Sequence, residues 1–232
     1  MERYWEAMGT SIETTRMKPP AHKLFFVVGV DGSGKTTITN EVVRICRENN
    51  IPCQNIWSRF NNYFSLPVIG VTKLSGHCYY KMIMGKPMGF HDYENLPVLR
   101  ELFFFLQIID VNIATFFRMT RKVNDQMLTI CERGPYDTFV DVLADTRLNT
   151  KKYFNLERLF CFQVKKDTQV IYIRRNYENI IRTRPELVYD KKLPFRIKMY
   201  EQLAQKKSWH IVDNNGPLEK TQKKIQQIIF ES

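Results

Sequence analysis

Cysteine is scarce in this chain and badly spaced for its structural uses. The five present, Cys46, Cys53, Cys78, Cys131 and Cys161, are odd in number and form no C-x-x-C pair. That pattern points away from a zinc site and a disulfide framework, and it fits a reducing, cytoplasmic compartment. An apolar leader is missing too: Met1-Glu2-Arg3-Tyr4-Trp5-Glu6 carries acids, so no ordinary secretory signal is expected. Nor is there a long uninterrupted apolar run. The most apolar stretch, Leu102 to Phe117, is broken by Gln107, Asp110 and Asn112 and is too short to span a bilayer comfortably, so we read it as a buried helix in a protein with no membrane partner. Repeats and low-complexity tracts are absent, and 232 residues then suggest one domain with a sizeable core.

Blocks of like charge are also missing. The net charge of +11 predicts an anionic partner. Its cations, however, are scattered in pairs such as Lys151-Lys152, Lys165-Lys166, Arg174-Arg175, Lys191-Lys192 and Lys206-Lys207, with no run of five or six. Nucleic acid is therefore disfavoured. Some of these pairs read as solvated surface and others as the surroundings of a polyphosphate.

What is there is a glycine-rich stretch, Gly29-Val30-Asp31-Gly32-Ser33-Gly34-Lys35-Thr36-Thr37, directly after the apolar run Lys23 to Val28. It fits G-x-x-x-x-G-K-[ST] in the strand-then-helix context that the motif requires. Glycines let successive N–H groups turn toward one phosphate chain, and the helix N-terminus adds partial positive charge. Lys35 would reach the outer phosphates and Thr36 would offer its hydroxyl to Mg2+. A glycine turn that merely joins a strand to a helix is the competing explanation.

The rest of the chain reads as alternating strands and helices. Residues 1–22 lack periodicity and end near Lys18-Pro19-Pro20, which predicts a flexible leader before a domain spanning 23–232. Strands are expected at Leu24–Val30, Cys53–Arg59, Met127–Cys131, Val170–Ile173 and Trp209–Asp213. Helices are expected from Thr36 to Asn49–Asn50, then at Glu101–Val123, Thr138–Ala144, Tyr177–Arg182, Leu193–Lys206 and Leu218–Phe230. Helices between parallel strands make right-handed crossovers and put ligands at the carboxyl edge of the sheet. Residues 60–98, with their scattered glycines, prolines and aromatics, suggest short helices or a mobile cap. Asp110 stands out in an apolar helix, and a polar edge facing a cleft would explain it.

Phosphoryl transfer needs donor and acceptor held in line and negative charge neutralised. Arg59 and Arg133 fall at strand ends. The segment from Arg174 to about residue 192 holds Arg182 and Arg184 and suggests a lid, because arginine forks match phosphate oxygens. A Glu178–Arg182 surface pair, four apart on a helix, is the plainer alternative. Glu132 would hold Mg2+ through water, or else pair with its neighbour Arg133.

The order of these parts resembles the thymidylate kinase family of nucleoside monophosphate kinases. It runs from the glycine-rich loop through an arginine after strand two, Glu101-Leu102 opening an apolar helix and Glu132-Arg133 after strand three to an arginine-rich lid. The likeness covers residues 23 to 230. It implies a three-layer P-loop fold with five parallel strands in the order 2-3-1-4-5, ATP and Mg2+ as cofactors, transfer to a nucleoside monophosphate with dTMP as leading acceptor, and a homodimer through the Leu102–Phe117 helix. It also implies that Asp31 sits near the acceptor sugar, that Arg59 holds the acceptor phosphate, and that Arg182 and Arg184 supply catalytic charge in place of an arginine inside the loop.

The chain departs from the family at the acceptor. Asp137 stands where a serine is usual, Asp141-Val142 replaces a Tyr-Gln pair, and the arginine expected to follow the apolar helix segment is missing. A carboxylate near the base would accept hydrogen bonds from amino groups, as on cytosine or guanine. Deoxynucleoside kinases share several of these parts, but they place a carboxylate base after strand two, where this chain has Ser58-Arg59-Phe60-Asn61-Asn62. A non-enzymatic nucleotide-binding or nucleic-acid-binding module is the third alternative.

Overall fold

A continuous apolar run forms a stable strand only where both faces of the sheet are covered. Leu24-Phe25-Phe26-Val27-Val28 meets that condition as β1 (Leu24–Val28), every residue of it buried. The computed structural model describes residues 19–58, 62–124 and 126–231, so most of the expected leader lies outside the described residues, as does Arg59.

After β1 come α1 (Lys35–Glu48), β2 (Cys53–Trp57), α2 (Leu66–Leu74), the strands β3 (Cys78–Ile83) and β4 (Lys86–His91), and α3 (Pro97–Thr115). The second half runs β5 (Leu128–Glu132), α4 (Pro135–Thr146), two short turns of helix α5 (Thr150–Tyr153) and α6 (Glu157–Phe160), then β6 (Gln169–Arg174), α7 (Tyr177–Thr183), α8 (Leu193–Lys207), β7 (His210–Asp213) and α9 (Leu218–Phe230). Five strands form one parallel sheet in the order β2-β5-β1-β6-β7.

Alternate residues of β1 feed two cores. Phe25 and Val27 join Ile38 and Val42 of α1 and Ile225 and Ile229 of α9 on one face. Phe26 and Val28 join Phe104, Phe139, Tyr172 and Leu203 on the other. The protein is thus an α/β sheet with helices on both sides, and its loops after the strands collect along one edge.

Three expectations are corrected. The described part of residues 60–98 does contain a short helix, α2, but also an antiparallel hairpin, β3 paired with β4 from Cys78↔His91 to Ile83↔Lys86. Its two-residue tip, Met84-Gly85, has positive φ at both positions (50° and 76°), the backbone that matches the twist of a tight hairpin.

The apolar helix also starts four residues earlier than expected, at Pro97 instead of Glu101. α3 continues through a wide turn, Phe116–Thr120, and the helical stretch Pro97–Met119 is long and apolar enough, by length and composition alone, to cross a bilayer. It packs on α4 and α6, and Phe103, Phe104, Gln107, Asp110 and Val111 are among its buried residues. Leu102, Phe105, Ile109 and Phe117 stay exposed.

Asp110, finally, faces no cleft: it is fully buried. Its carboxylate accepts from the backbone N–H groups of Tyr63 (3.1 Å), Phe64 (2.8 Å) and Ser65 (3.0 Å) and from Ser65 Oγ (2.6 Å). Gln107, one turn earlier, donates to Asn62 Oδ1 and Ser65 Oγ at 2.7 and 2.8 Å. Helix starts leave N–H groups without intrahelical partners. Asp110 takes up the donors that lead into α2, so a polar residue in a greasy helix fixes the chain after β2.

Candidate functional site

Where β1 stops, the glycine-rich loop turns the chain into α1. Gly32 and Gly34 take φ of 81° and 100°, a region that penalises any Cβ. A Cβ on Gly34 would also collide with the amide of Asn214. Lys35 is the first residue of α1 and curls back so that Nζ donates to the carbonyls of Gly29 (2.6 Å) and Val30 (2.8 Å). Burial pushes its pKa down to about 8; the charge of Arg133 adds to this, and Asp137, Asp31 and Glu132 oppose it. Ser33 is fully buried and its hydroxyl has no hydrogen-bond partner.

One turn of helix brings two hydroxyls to a single carboxylate. Thr36 Oγ1 donates to Glu132 Oε1 at 2.6 Å, and Thr39 Oγ1 lies 3.3 Å from Oε2. Glu132 is the last residue of β5, paired in register with Val27 of β1, so the parallel sheet itself sets this contact across 96 positions. Thr37 is exposed beside them.

Glu132 does not pair with its neighbour Arg133, which reaches Asp31 of the loop instead. Arg133 has φ 67°, a left-handed conformation that a side-chain-bearing residue takes only under constraint, and such strain gathers at functional sites. Burial acts to lower its pKa, but the carboxylates of Asp31, Asp137 and Asp141 outweigh this and hold it above its ordinary value.

The segment after β6 closes over the loop. Arg175 donates from Nη1 to Gly32 O at 3.1 Å, while its Nε is buried without a partner. A Cβ on Gly32 would meet Ile180 Cγ2 at 3.1 Å, Arg184 Cγ at 3.3 Å and Leu187 Cδ1 at 3.4 Å, so the stem of Arg184 lies on the loop's crest. Arg184 Nε is held by Glu186 at 2.6 Å. Arg182 is exposed at the end of α7; its charge, after burial, helps lower the pKa of Arg175. Arg174 belongs to β6 and forks onto Glu201 at 2.8 and 2.7 Å, so it builds the sheet-to-α8 contact and is no part of the lid. After β7, Asn214 donates to Ser33 O at 2.8 Å and accepts from Thr221 at 3.1 Å.

The acids that depart from the family pattern are already engaged. Asp137, Asp141 and Asp145 follow one another at four-residue spacing on α4. Tyr200, Arg196 and Lys192 descend at the same spacing on and before α8. The rungs are Asp137–Tyr200 (2.7 Å), Asp141–Arg196 (2.7 Å) and Asp145–Lys192 (3.2 Å). Arg196 also holds Asp190 at 2.7 Å. Burial raises the pKa of Asp137 against the pull of Lys35 and Arg133, and pushes that of Asp141 up to about 6 against Arg196.

The predicted residues thus converge in large part. Gly29, Asp31, Gly32, Ser33, Gly34, Lys35, Thr36, Glu132, Arg133 and the stem of Arg184 surround one loop. Arg182 is exposed at the end of its helix, and Arg59 lies outside the described residues. Two contributors were missed, Thr39 and Asn214, and two more, Arg175 and Glu186, lay in the expected lid without being given a role. Thr39 sits one helical turn beyond Thr36 and was open to discovery by spacing, whereas Asn214 in an Asn-Asn-Gly-Pro stretch signals only a turn. No protein-family model and no curated protein matches the chain.

Proposed function

We propose that the chain is a P-loop kinase that transfers the γ-phosphate of ATP to a nucleoside monophosphate, with dTMP the leading acceptor through its resemblance to thymidylate kinases. The observation that carries this reading is the Thr36–Glu132 contact at 2.6 Å beside Lys35, at the carboxyl edge of a parallel sheet. The sheet order supports it: counted among the parallel strands alone, β2-β5-β1-β6-β7 is second, third, first, fourth, fifth.

The donor set suits Mg2+. A hydroxyl and a carboxylate offer hard oxygens, and Mg2+ commonly takes one or two carboxylates and completes its shell with phosphates and water. Among the described residues no three His, Cys, Asp or Glu side chains converge, which fits a metal shared with a ligand over one caged by protein. Thr36 would bind the ion and Glu132 would hold it through water; the ion would supply charge neutralisation on the transferred phosphate. Lys35 leaves the Gly29 and Val30 carbonyls for the phosphates, and the hydroxyl of Ser33 gains a partner. Arg133, oriented by Asp31, serves the acceptor phosphate, the role that the resemblance also gives Arg59, and Arg182 and Arg184 supply charge from the lid. Asp137 and Asp141 already hold Tyr200 and Arg196, which supports a role in building the acceptor wall over reading amino groups on a base.

A coupled ADP-release assay across nucleoside monophosphates and nucleosides, at matched Mg2+, tests this. Turnover with a monophosphate is expected. Turnover with nucleosides alone would move the protein to the deoxynucleoside kinases, and no turnover alongside tight ATP binding would remove the kinase reading. The exposed face of α3 with Leu102, Phe105 and Ile109 is the proposed homodimer surface, and a monomeric mass by light scattering would discard it. The five free thiols fit the proposed reducing compartment.

Lys35 also sets a pH dependence. Only its protonated form attracts phosphate, so ATP affinity of the free protein is expected to fall as pH rises through about 8. Titrating ATP binding from pH 6.5 to 9.5 checks this, and a flat profile would contradict it. The stability sign is opposite: with a folded pKa near 8 against 10.5 for an ordinary lysine, this group favours folding more as pH rises between those values.

A further inference from the structure

Glu186 is an acid buried at the loop's outer side. It belongs to the short turn Pro185–Tyr189, and its side chain is only 3% exposed. One oxygen, Oε1, takes two cations: Arg184 Nε at 2.6 Å and Lys86 Nζ at 2.7 Å. Lys86 opens β4 and comes from a hairpin 100 positions earlier. An ordinary surface ion pair leaves both partners free to wander and contributes little. Here the carboxylate is buried and gripped from both sides, and the arginine it holds rests against Gly32 of the loop.

We propose that Glu186 is a positioning residue for Arg184: by occupying Nε, it turns the two terminal nitrogens of the guanidinium into a fork set over the glycine-rich loop. Those terminal nitrogens have no partner among the described residues. A guanidinium held at Nε keeps the donor pair that matches two phosphate oxygens. Lys86 offsets the acid, so the group of three keeps a net positive charge, as an anion site requires. The carboxylate stays ionised at any working pH, since hydrogen bonds from Lys86 and Arg184 hold its pKa down at about 2. Glu186 itself touches no substrate in this account, and the inference rests on the phosphotransferase reading.

A double-mutant cycle tests it. Glu186→Gln is expected to lower kcat about tenfold, the scale of a misplaced catalytic group, with the KM for the acceptor little changed. Arg184→Ala should cost more, and Glu186→Gln added to it should cost nothing further, because the acid acts only through the arginine. Additive losses would overturn the proposal. Arg184→Lys gives a reading that leaves Glu186 intact: it keeps charge but has no fork, so it should fall within about threefold of Arg184→Ala, and wild-type turnover would overturn the positioning role. If the wild-type protein turns over no acceptor, the kinase reading fails by itself. The same cycle read on affinity for a fluorescent ATP analogue then decides the role of Glu186, with non-additive weakening supporting it and additive weakening or no effect refuting it.

Discussion

Lys35→Ala should abolish turnover, by about a thousandfold, while leaving the protein folded. The loss follows from removing a fixed positive charge from where negative charge is transferred, the largest single effect such sites use. The retained fold follows from the structure. Lys35 is buried, and its charge is penalised by burial and by Arg133, which pushes its pKa down to about 8. Its partners are two loop carbonyls, Gly29 O and Val30 O, and Val30 O keeps the N–H of Ser33 at 3.2 Å when the lysine is removed. Alanine removes the penalty along with the charge. ADP release and thermal melting, measured on the same sample, check both halves: surviving activity would place the phosphate site elsewhere, and a large fall in Tm would show Lys35 to be a structural post.

Asp110→Ala should have the largest effect on stability. Truncation leaves the N–H groups of Tyr63, Phe64 and Ser65 and the hydroxyl of Ser65 without their acceptor. Each buried donor left unmet costs about 1–3 kcal/mol, so a total of roughly 3–5 kcal/mol is expected after relaxation. For a chain of this length that is a fall in Tm of roughly 10 °C. Asp110→Asn should lose somewhat less, since one carbonyl oxygen still accepts while the amide opposes the other donors. Thermal and urea melts decide; a change of under 1 kcal/mol would show that water replaces the carboxylate.

The central strands were readable because they are buried on both sides. Leu24 to Val28 needs no alternation when helices cover both faces, and the amphipathic pattern of Leu218–Phe230 returned that helix at its observed bounds. The hairpin β3–β4 was hidden by its chemistry. Its tip is Met84-Gly85 where asparagine or aspartate would advertise the turn, and Pro87 and Gly89 inside β4 read as breakers. Asp110 misled for a related reason: its partners are backbone groups 45 to 47 positions away, which no side-chain pattern announces.

The site divides in the same way. Gly29 to Thr36 is a local motif and declared itself. Glu132 followed from its place at a strand end. Glu186 and Asn214 act through contacts with Lys86 and Ser33 that lie 100 and 181 positions apart, visible only once the sheet has brought their loops to one edge.

The ion pairs around α8 bear on how the lid responds to change. Arg174, just before the lid, is forked onto Glu201, and Asp190, just after it, is held by Arg196. Both ends of the strap from Arg175 to Tyr189 are therefore pinned to the same helix, about 7.5 Å apart along its axis at 1.5 Å per residue. A strap with neighbouring ends behaves as a closed loop, in which doubling the length adds only about 0.6 kcal/mol of closure entropy. Closure itself is thus cheap, and a large fall in melting temperature on glycine-serine insertion within the strap would report lost packing of Ile180 and Leu187, which belong to the core.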